Sequence, residues 1–144
     1  MRTISPELIR AYREAHYIVL GKGKEIPLQV GTVNLELARL MSNKNARTAS
    51  VLTAYNPYSE VKTKQYNELA QMQLRQRLKE MGIATLDAIG RDAKEQWEPE
   101  PSVLALDLTL KEAETLADEY GQNAFIWIPK QAAVIELRLR YPTY

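Results

Sequence analysis

Apolar positions along the chain switch repeatedly between helical and strand spacing, and the switches divide it into short elements. Ser5 before Pro6 marks a helix start, because a capping side chain is followed by a residue whose missing N–H is not needed in the first turn. Leu8, Ile9 and Tyr12 continue it as a stripe, predicting a helix over 6–14. His16 to Leu20 reads as a strand, Gly21-Lys22-Gly23-Lys24 as a hairpin connection, and Ile26 to Val30 as the returning strand. Asn34 caps a helix carrying Leu35, Leu37, Ala38, Leu40 and Met41, which the polar stretch from Ser42 to Arg47 ends.

The second half repeats the alternation. Ala49 to Tyr55 reads as a buried strand stopped by Asn56-Pro57. Tyr66, Leu69, Ala70, Leu74, Leu78 and Met81 recur at three- and four-residue steps, predicting the longest helix over about 62–81, with Gly82 as its left-handed stop. Ile83 to Ile89 has strand character, and Gly90 through Pro101 reads as a polar loop. Ser102 to Leu106 is an apolar strand, and Thr109 with Glu112 fits a capping box opening a helix that Gly121 closes. Ala124 to Ile128 and Ala133 to Leu139 form a last strand pair. The order is not the regular βαβα alternation of a doubly wound fold. It predicts an α+β fold: one domain over 1–144, with a single mixed, largely antiparallel sheet and about four helices packed on it.

Composition changes this picture mainly by exclusion. A share of 45% hydrophobic and 26% charged residues places the chain among globular proteins and not disordered ones. No apolar run approaches the roughly 18 residues of a membrane span, and the N-terminus lacks the pattern of a signal peptide, so no membrane association and a cytoplasmic location are expected. Nineteen basic against eighteen acidic residues argue against a strong grip on nucleic acid, which draws on many lysine and arginine contacts to phosphate. With no cysteine there is no disulfide, thiolate nucleophile or zinc–sulfur site. The single histidine, His16, removes metal sites built on paired imidazoles and reads as a structural or surface residue. No metal or cofactor is expected. Gly21-Lys22-Gly23-Lys24 is followed by Glu25 and a strand, whereas a phosphate loop requires Ser or Thr after its lysine and then a helix.

Candidate chemistry therefore gathers where apolar strands end. Thr53-Ala54-Tyr55-Asn56-Pro57-Tyr58-Ser59 delivers Thr53 and Asn56 to the mouth of the following helix, although Asn56 and Ser59 equally suit a turn and a helix cap. Trp97-Glu98-Pro99 places an aromatic plane beside a carboxylate on a proline-stiffened loop. Gln122-Asn123 sets two amides between a helix-ending glycine and a strand, where the plainer role is to satisfy backbone groups. Asp87, Asp92, Glu95, Glu98, Glu100 and Asp107 are further carboxylates, suited to acid–base work only where burial or proximity separates their pKa values.

Taken together these stretches resemble a bacterial family known only as domain of unknown function 3293. Its pattern appears here as Thr53-Ala54-Tyr55-Asn56-Pro57, Asn67 with Leu74 and Leu78, Gly90, Trp97-Glu98-Pro99 and Gln122-Asn123-Ala124, spread between about Tyr12 and Leu137. Glu98-Pro99-Glu100-Pro101-Ser102 looks like an expected Glu-Pro-Ser with two residues added, so either Glu98 or Glu100 stands for its carboxylate. The resemblance implies no activity. It groups Asn56, Asn67, Trp97, Glu98, Gln122 and Asn123, a set that suits a small polar or nucleotide-like ligand. On this reading Thr53 and the amides hydrogen-bond the ligand, Trp97 stacks on it, and Glu98 binds a donor or serves as the candidate acid–base group. The alternative is a non-enzymatic interaction or regulatory module of a bacterial or phage system, in which the same residues hold turns together and the eight tyrosines serve a protein-binding surface.

Overall fold

The computed structural model describes residues 2–21 and 23–141 and shows an α+β fold. Helix α1 (Pro6–Glu14) leads into strands β1 (His16–Gly21) and β2 (Lys24–Leu28), and helix α2 (Leu35–Asn43) into β3 (Ala49–Leu52). A single 3-10 turn at Pro57–Ser59 precedes the long helix α3 (Lys64–Glu80). Strands β4 (Thr85–Arg91) and β5 (Glu100–Leu106), helix α4 (Leu110–Glu119), and strands β6 (Ala124–Ile128) and β7 (Glu136–Leu139) complete it.

All seven strands join one sheet in the order β2-β1-β4-β5-β3-β6-β7. Every pairing is antiparallel, so the parallel pairs of a mixed sheet do not occur. Short connections explain the three hairpins, and β3 reaches its place between β5 and β6 without a parallel crossover. Lys22, at the tip of the first hairpin, lies outside the described residues.

The central strands are buried on both faces. Along β5, Leu104 and Leu106 face one cluster with Leu37 and Met41 of α2. Val103 and Ala105 face the other, with Leu74 and Leu78 of α3 and Leu116 of α4. Strand β6 divides likewise, with Ile126 and Ile128 on the first side and Phe125 and Trp127 on the second. This double burial is why these strands read as unbroken apolar runs, and a slip of one residue in register would exchange the two cores.

Boundaries differ from the sequence expectation where polar contacts intervene. Strand β3 stops at Leu52, because Thr53 turns its hydroxyl to Pro101 O (2.8 Å) and the chain then enters the Asn56 turn. Strand β4 runs on through Arg91 and β5 begins at Glu100, so only residues 92–99 of the expected long loop are loop. Helix α3 turns Asn67, Gln71, Leu74 and Leu78 inward, leaving Tyr66 and Leu69 about half exposed, unlike the apolar face expected for them. Its cap is Thr63, whose Oγ1 accepts from Tyr66 N. Asn34 and the Thr109–Glu112 box cap α2 and α4 as their spacing predicts. No helix among the described residues is long and apolar enough to cross a membrane.

Gly121 ends α4 with φ +65°, and its carbonyl accepts from Tyr58 N at 2.6 Å. A Cβ there would stand 2.9 Å from Cβ of Pro57 and 3.1 Å from the Tyr58 ring. Gly82 has a similar φ of +76° but open space around it. Gly121→Ala should therefore cost roughly 2–4 kcal/mol, left-handed strain plus overpacking, against about 1 kcal/mol for Gly82→Ala. Urea unfolding of the two variants beside the wild type measures the difference, and equal losses would show that the Pro57–Tyr58 approach is not tight.

Candidate functional site

Antiparallel register brings five strand ends to one side of the sheet. The end of β3 lies beside the starts of β5 and β6, since Leu52 pairs with Val103 and Val51 with Ile126. Gly90 at the end of β4 pairs with Glu100, and Arg91 with His16 at the start of β1. Over these ends sit α1, the Asn56 turn and the 92–99 loop.

The turn is held by amides. Asn56 adopts left-handed backbone angles (φ 47°, ψ 65°), and Tyr58 and Ser59 also have positive φ. Asn56 Oδ1 accepts from Lys62 N (3.0 Å) and from Asn67 Nδ2 (2.8 Å), while Asn56 N donates to Asn67 Oδ1 (2.9 Å). One turn further along α3, Gln71 Oε1 accepts from Ala54 N (2.8 Å). Gln122 Nε2 donates to Tyr55 O (3.0 Å) and Tyr120 O (3.1 Å), joining the turn to the end of α4. Asn67 and Gln71 are both buried. Each thus satisfies a backbone N–H that the non-regular chain leaves open, although Gln71 Nε2 itself is buried without a partner among the described residues.

Asn56 Nδ2 donates to Glu100 Oε2 at 2.9 Å. The other Glu100 oxygen has no partner among the described residues, and the side chain lines two adjoining hollows. Burial holds its carboxyl above the usual glutamate range, and the Asn56 hydrogen bond offsets part of that rise. Glu98 is exposed and bonds to no described residue, although it borders the outermost hollow. Of the two alternatives, Glu100, the first residue of β5, is the carboxylate joined to Asn56.

Asn123 has a different neighbour set from the other amides. Its Nδ2 donates to Tyr12 Oη (3.1 Å) and to Ser59 Oγ (3.2 Å), and those two hydroxyls lie 2.7 Å apart. One hydroxyl proton bridges them, and the second has no acceptor among the described residues. Burial raises the Tyr12 pKa above the ordinary tyrosine value, opposed by the Ser59 and Asn123 hydrogen bonds and reinforced by the negative charge of Glu100. Tyr17, still more buried, is raised further and donates its hydroxyl to Tyr12 O at 2.7 Å.

Trp97 borders three adjoining hollows. The inner one, about 60 Å³, reaches between Tyr17, Ser102 and Phe125. The second, about 160 Å³, lies between Leu8 and Tyr12 of α1, Ser59, Asn56 and Glu100. The third, about 510 Å³, opens past Val61 toward Arg91, Glu95 and Glu98. The loop carrying Trp97 is folded on Asp92, which is buried and accepts from Gln96 N at 2.8 Å, while its carbonyl accepts from Glu95 N. Trp97, Glu98, Asn56 and Gln122 each border at least one of these spaces, as does Thr53. Asn67 and Asn123 border none of them. Sequence reasoning missed Tyr12, Ser59 and Glu100 as a group, since nothing in local spacing links α1, the turn and β5. Among the described residues no group of three or more His, Asp or Glu is placed to hold a metal ion.

The model of a family described as Protein of unknown function (DUF3293) matches residues 52–125, just over half of the chain, and the chain belongs to that family. The match runs from the end of β3 to the start of β6, so it takes in the Asn56 turn, all of α3, the Trp97 loop and Glu100. No curated protein and no solved structure matches the chain significantly.

Two consequences can be measured. Asn56→Ala removes three side-chain hydrogen bonds and the residue type best suited to left-handed angles, and should cost roughly 2–4 kcal/mol in urea unfolding. Glu98→Ala, at an exposed position, should stay within about 0.5 kcal/mol of the wild type. The second consequence concerns Glu100. A carboxyl whose folded pKa is raised binds more protons folded than unfolded, so its ionisation destabilises the fold as pH rises through that window. Glu100→Gln should therefore have the higher melting temperature at neutral pH, and the gap should close below about pH 4, where the carboxyl is protonated in both states. A gap that widens on acidification would contradict the assigned environment.

Proposed function

We propose that this member of the family binds a small polar, ring-bearing ligand in the hollow bordered by Trp97, Tyr12 and Glu100. The observation that carries this reading is the unpartnered Glu100 oxygen, which lines the hollow beside an indole ring and a hydroxyl pair with one uncommitted proton. An acceptor, a donor and a flat apolar surface on one concave wall are the ingredients of small-ligand recognition. Nucleobases and similar heterocycles fit that description, with Trp97 as the stacking plane. The amides named from the sequence serve this site as its frame: Asn56 orients Glu100, Asn67 orients Asn56, and Asn123 orients Tyr12 and Ser59.

Binding, and not catalysis, is the better supported half of the reading. Acid–base catalysis between two groups needs pKa values tuned apart around the working pH. Here burial moves the Tyr12 hydroxyl further from neutrality, so Glu100 has no partner beside it tuned to exchange protons near neutral pH. The other reading, a non-enzymatic interaction or regulatory module, draws support from Tyr66, Leu69 and Met72, apolar and exposed at three-residue steps on α3. The hollow is preferred because it joins shape to chemistry.

Thermal-shift screening of nucleobases, nucleosides and related heterocyclic metabolites tests the proposal. A true ligand at about 100 times its Kd should raise the melting temperature of the wild type by roughly 5 °C or more. Trp97→Ala should lose most of that shift. If every compound moves wild type and Trp97→Ala equally, the hollow is not the binding site.

A further inference from the structure

Resting on that reading of the hollow, we infer that its ligand is a small organic cation whose charged end lies between the Trp97 ring and Glu100. Four charged residues border the three connected spaces: Glu100 on the inner two, and Arg91, Glu95 and Glu98 on the outer one. None of the four takes part in an ion pair among the described residues, although nine such pairs form elsewhere on the molecule. Their formal charges sum to −2, and the single positive group borders only the outer space. Field lines from unpaired carboxylates concentrate in a concave site with low-dielectric walls, so the hollow draws cations and repels anions.

Two features make an organic cation fit better than a bare metal ion. Besides Glu100 the hollow offers only the Tyr12 and Ser59 hydroxyls and the Asn56 amide as polar groups, all already hydrogen-bonded within the protein. The rest of its wall is Leu8, Val61 and Trp97, a poor match to the six or more oxygen ligands a hard cation collects. An indole face attracts a weakly hydrated organic cation through its quadrupole, more strongly when the site is partly dry. Glu100 already gives one oxygen to Asn56, which leaves one oxygen to meet one donor of the ligand. A cation there restores the charge balance that burial of Glu100 lacks, whereas a phosphorylated ligand would add negative charge beside three carboxylates. The inference thus narrows the ligand to amines, amidines, guanidines or protonated heterocycles, and away from nucleotides.

A charge series on one scaffold tests it with the full chain: benzamidinium, benzamide and benzoate, titrated at low ionic strength. The readout is the indole N–H resonance of Trp97, assigned with Trp97→Phe, with the buried Trp127 as internal reference. Benzamidinium should bind about tenfold or more tighter than benzoate, the scale of a partly desolvated charge contact, with benzamide between them. Glu100→Gln, whose amide oxygen can still accept from Asn56, should lose most of that margin while keeping the benzamide affinity. If that variant disturbs the turn, the exposed pair Glu95→Gln with Glu98→Gln should shrink the margin in the same direction. Benzamide or benzoate binding at Trp97 as tightly as benzamidinium overturns the cation and leaves the ligand site standing. Failure of all three probes to move the Trp97 resonance at millimolar concentration removes the ligand site as well.

Discussion

The side chain of Asn56 is the interaction on which the rest of this site depends. Three of the four residues from Asn56 to Ser59 sit in left-handed backbone angles, each at a cost of roughly 1–2 kcal/mol for a residue with a Cβ. Such a segment persists only where its surroundings over-determine it. Here Asn56 is held through its own N–H and both side-chain atoms, Tyr58 N is held by Gly121 O, and Gln122 ties Tyr55 O from the other side. The strain is not idle. It turns Ser59 back to Tyr12 and Asn123 and aims the Asn56 amide at Glu100, so the polar wall of the hollow exists because the turn is forced.

What permits the forcing is a rigid base. Helix α3 presents Asn67 and Gln71 near its start and Leu74 and Leu78 toward its end along one inward stripe. The apolar half anchors the helix in the core with Val103, Ala105 and Leu116, each fully buried leucine stabilising by about 1.5–3 kcal/mol. The polar half then holds the backbone of residues 54–56 at fixed positions. Packing and site are two ends of one helix.

Much of the frame was legible in the sequence because its causes are local. Caps at Ser5, Asn34 and Thr109, the glycine stops at 82 and 121, and the apolar strand runs each follow from neighbours within four residues. The polar residues at strand ends were also visible, Asn56, Trp97 and Gln122 among them. Their division into frame and open groups was not. It depends on which of two glutamates on one loop falls at register with Gly90, and on α1 folding back to bring Tyr12 to Ser59, contacts separated by 10 and 47 residues. Tyr66 and Leu69 misled for the opposite reason. They keep helical period with the core residues, yet α3 is rotated so that its amides, and not those side chains, meet the sheet.

Hydrogen-bond capacity then separates the roles that residue type alone could not. An amide has one acceptor and one two-proton donor, and Asn56 and Asn67 commit both ends within the protein. Each Nδ2 gives one of its two N–H groups to a partner inside the protein, and each Oδ1 accepts from within it. Glu100 commits one oxygen of two, and the Tyr12–Ser59 pair one bridging proton of two. Glu100, Tyr12 and Ser59 border the hollow with that capacity to spare, beside an indole that has no polar partner of its own among the described residues, whereas the unpartnered Nε2 of Gln71 is buried away from it. Asn56 and Asn123, two of the amides singled out in the sequence, hold a carboxylate and a hydroxyl pair in place. The hydrogen bonds that shape this wall run from α3 through the turn to β5, and from the start of β6 back to α1, so its polar groups are fixed by elements that the core already holds in place.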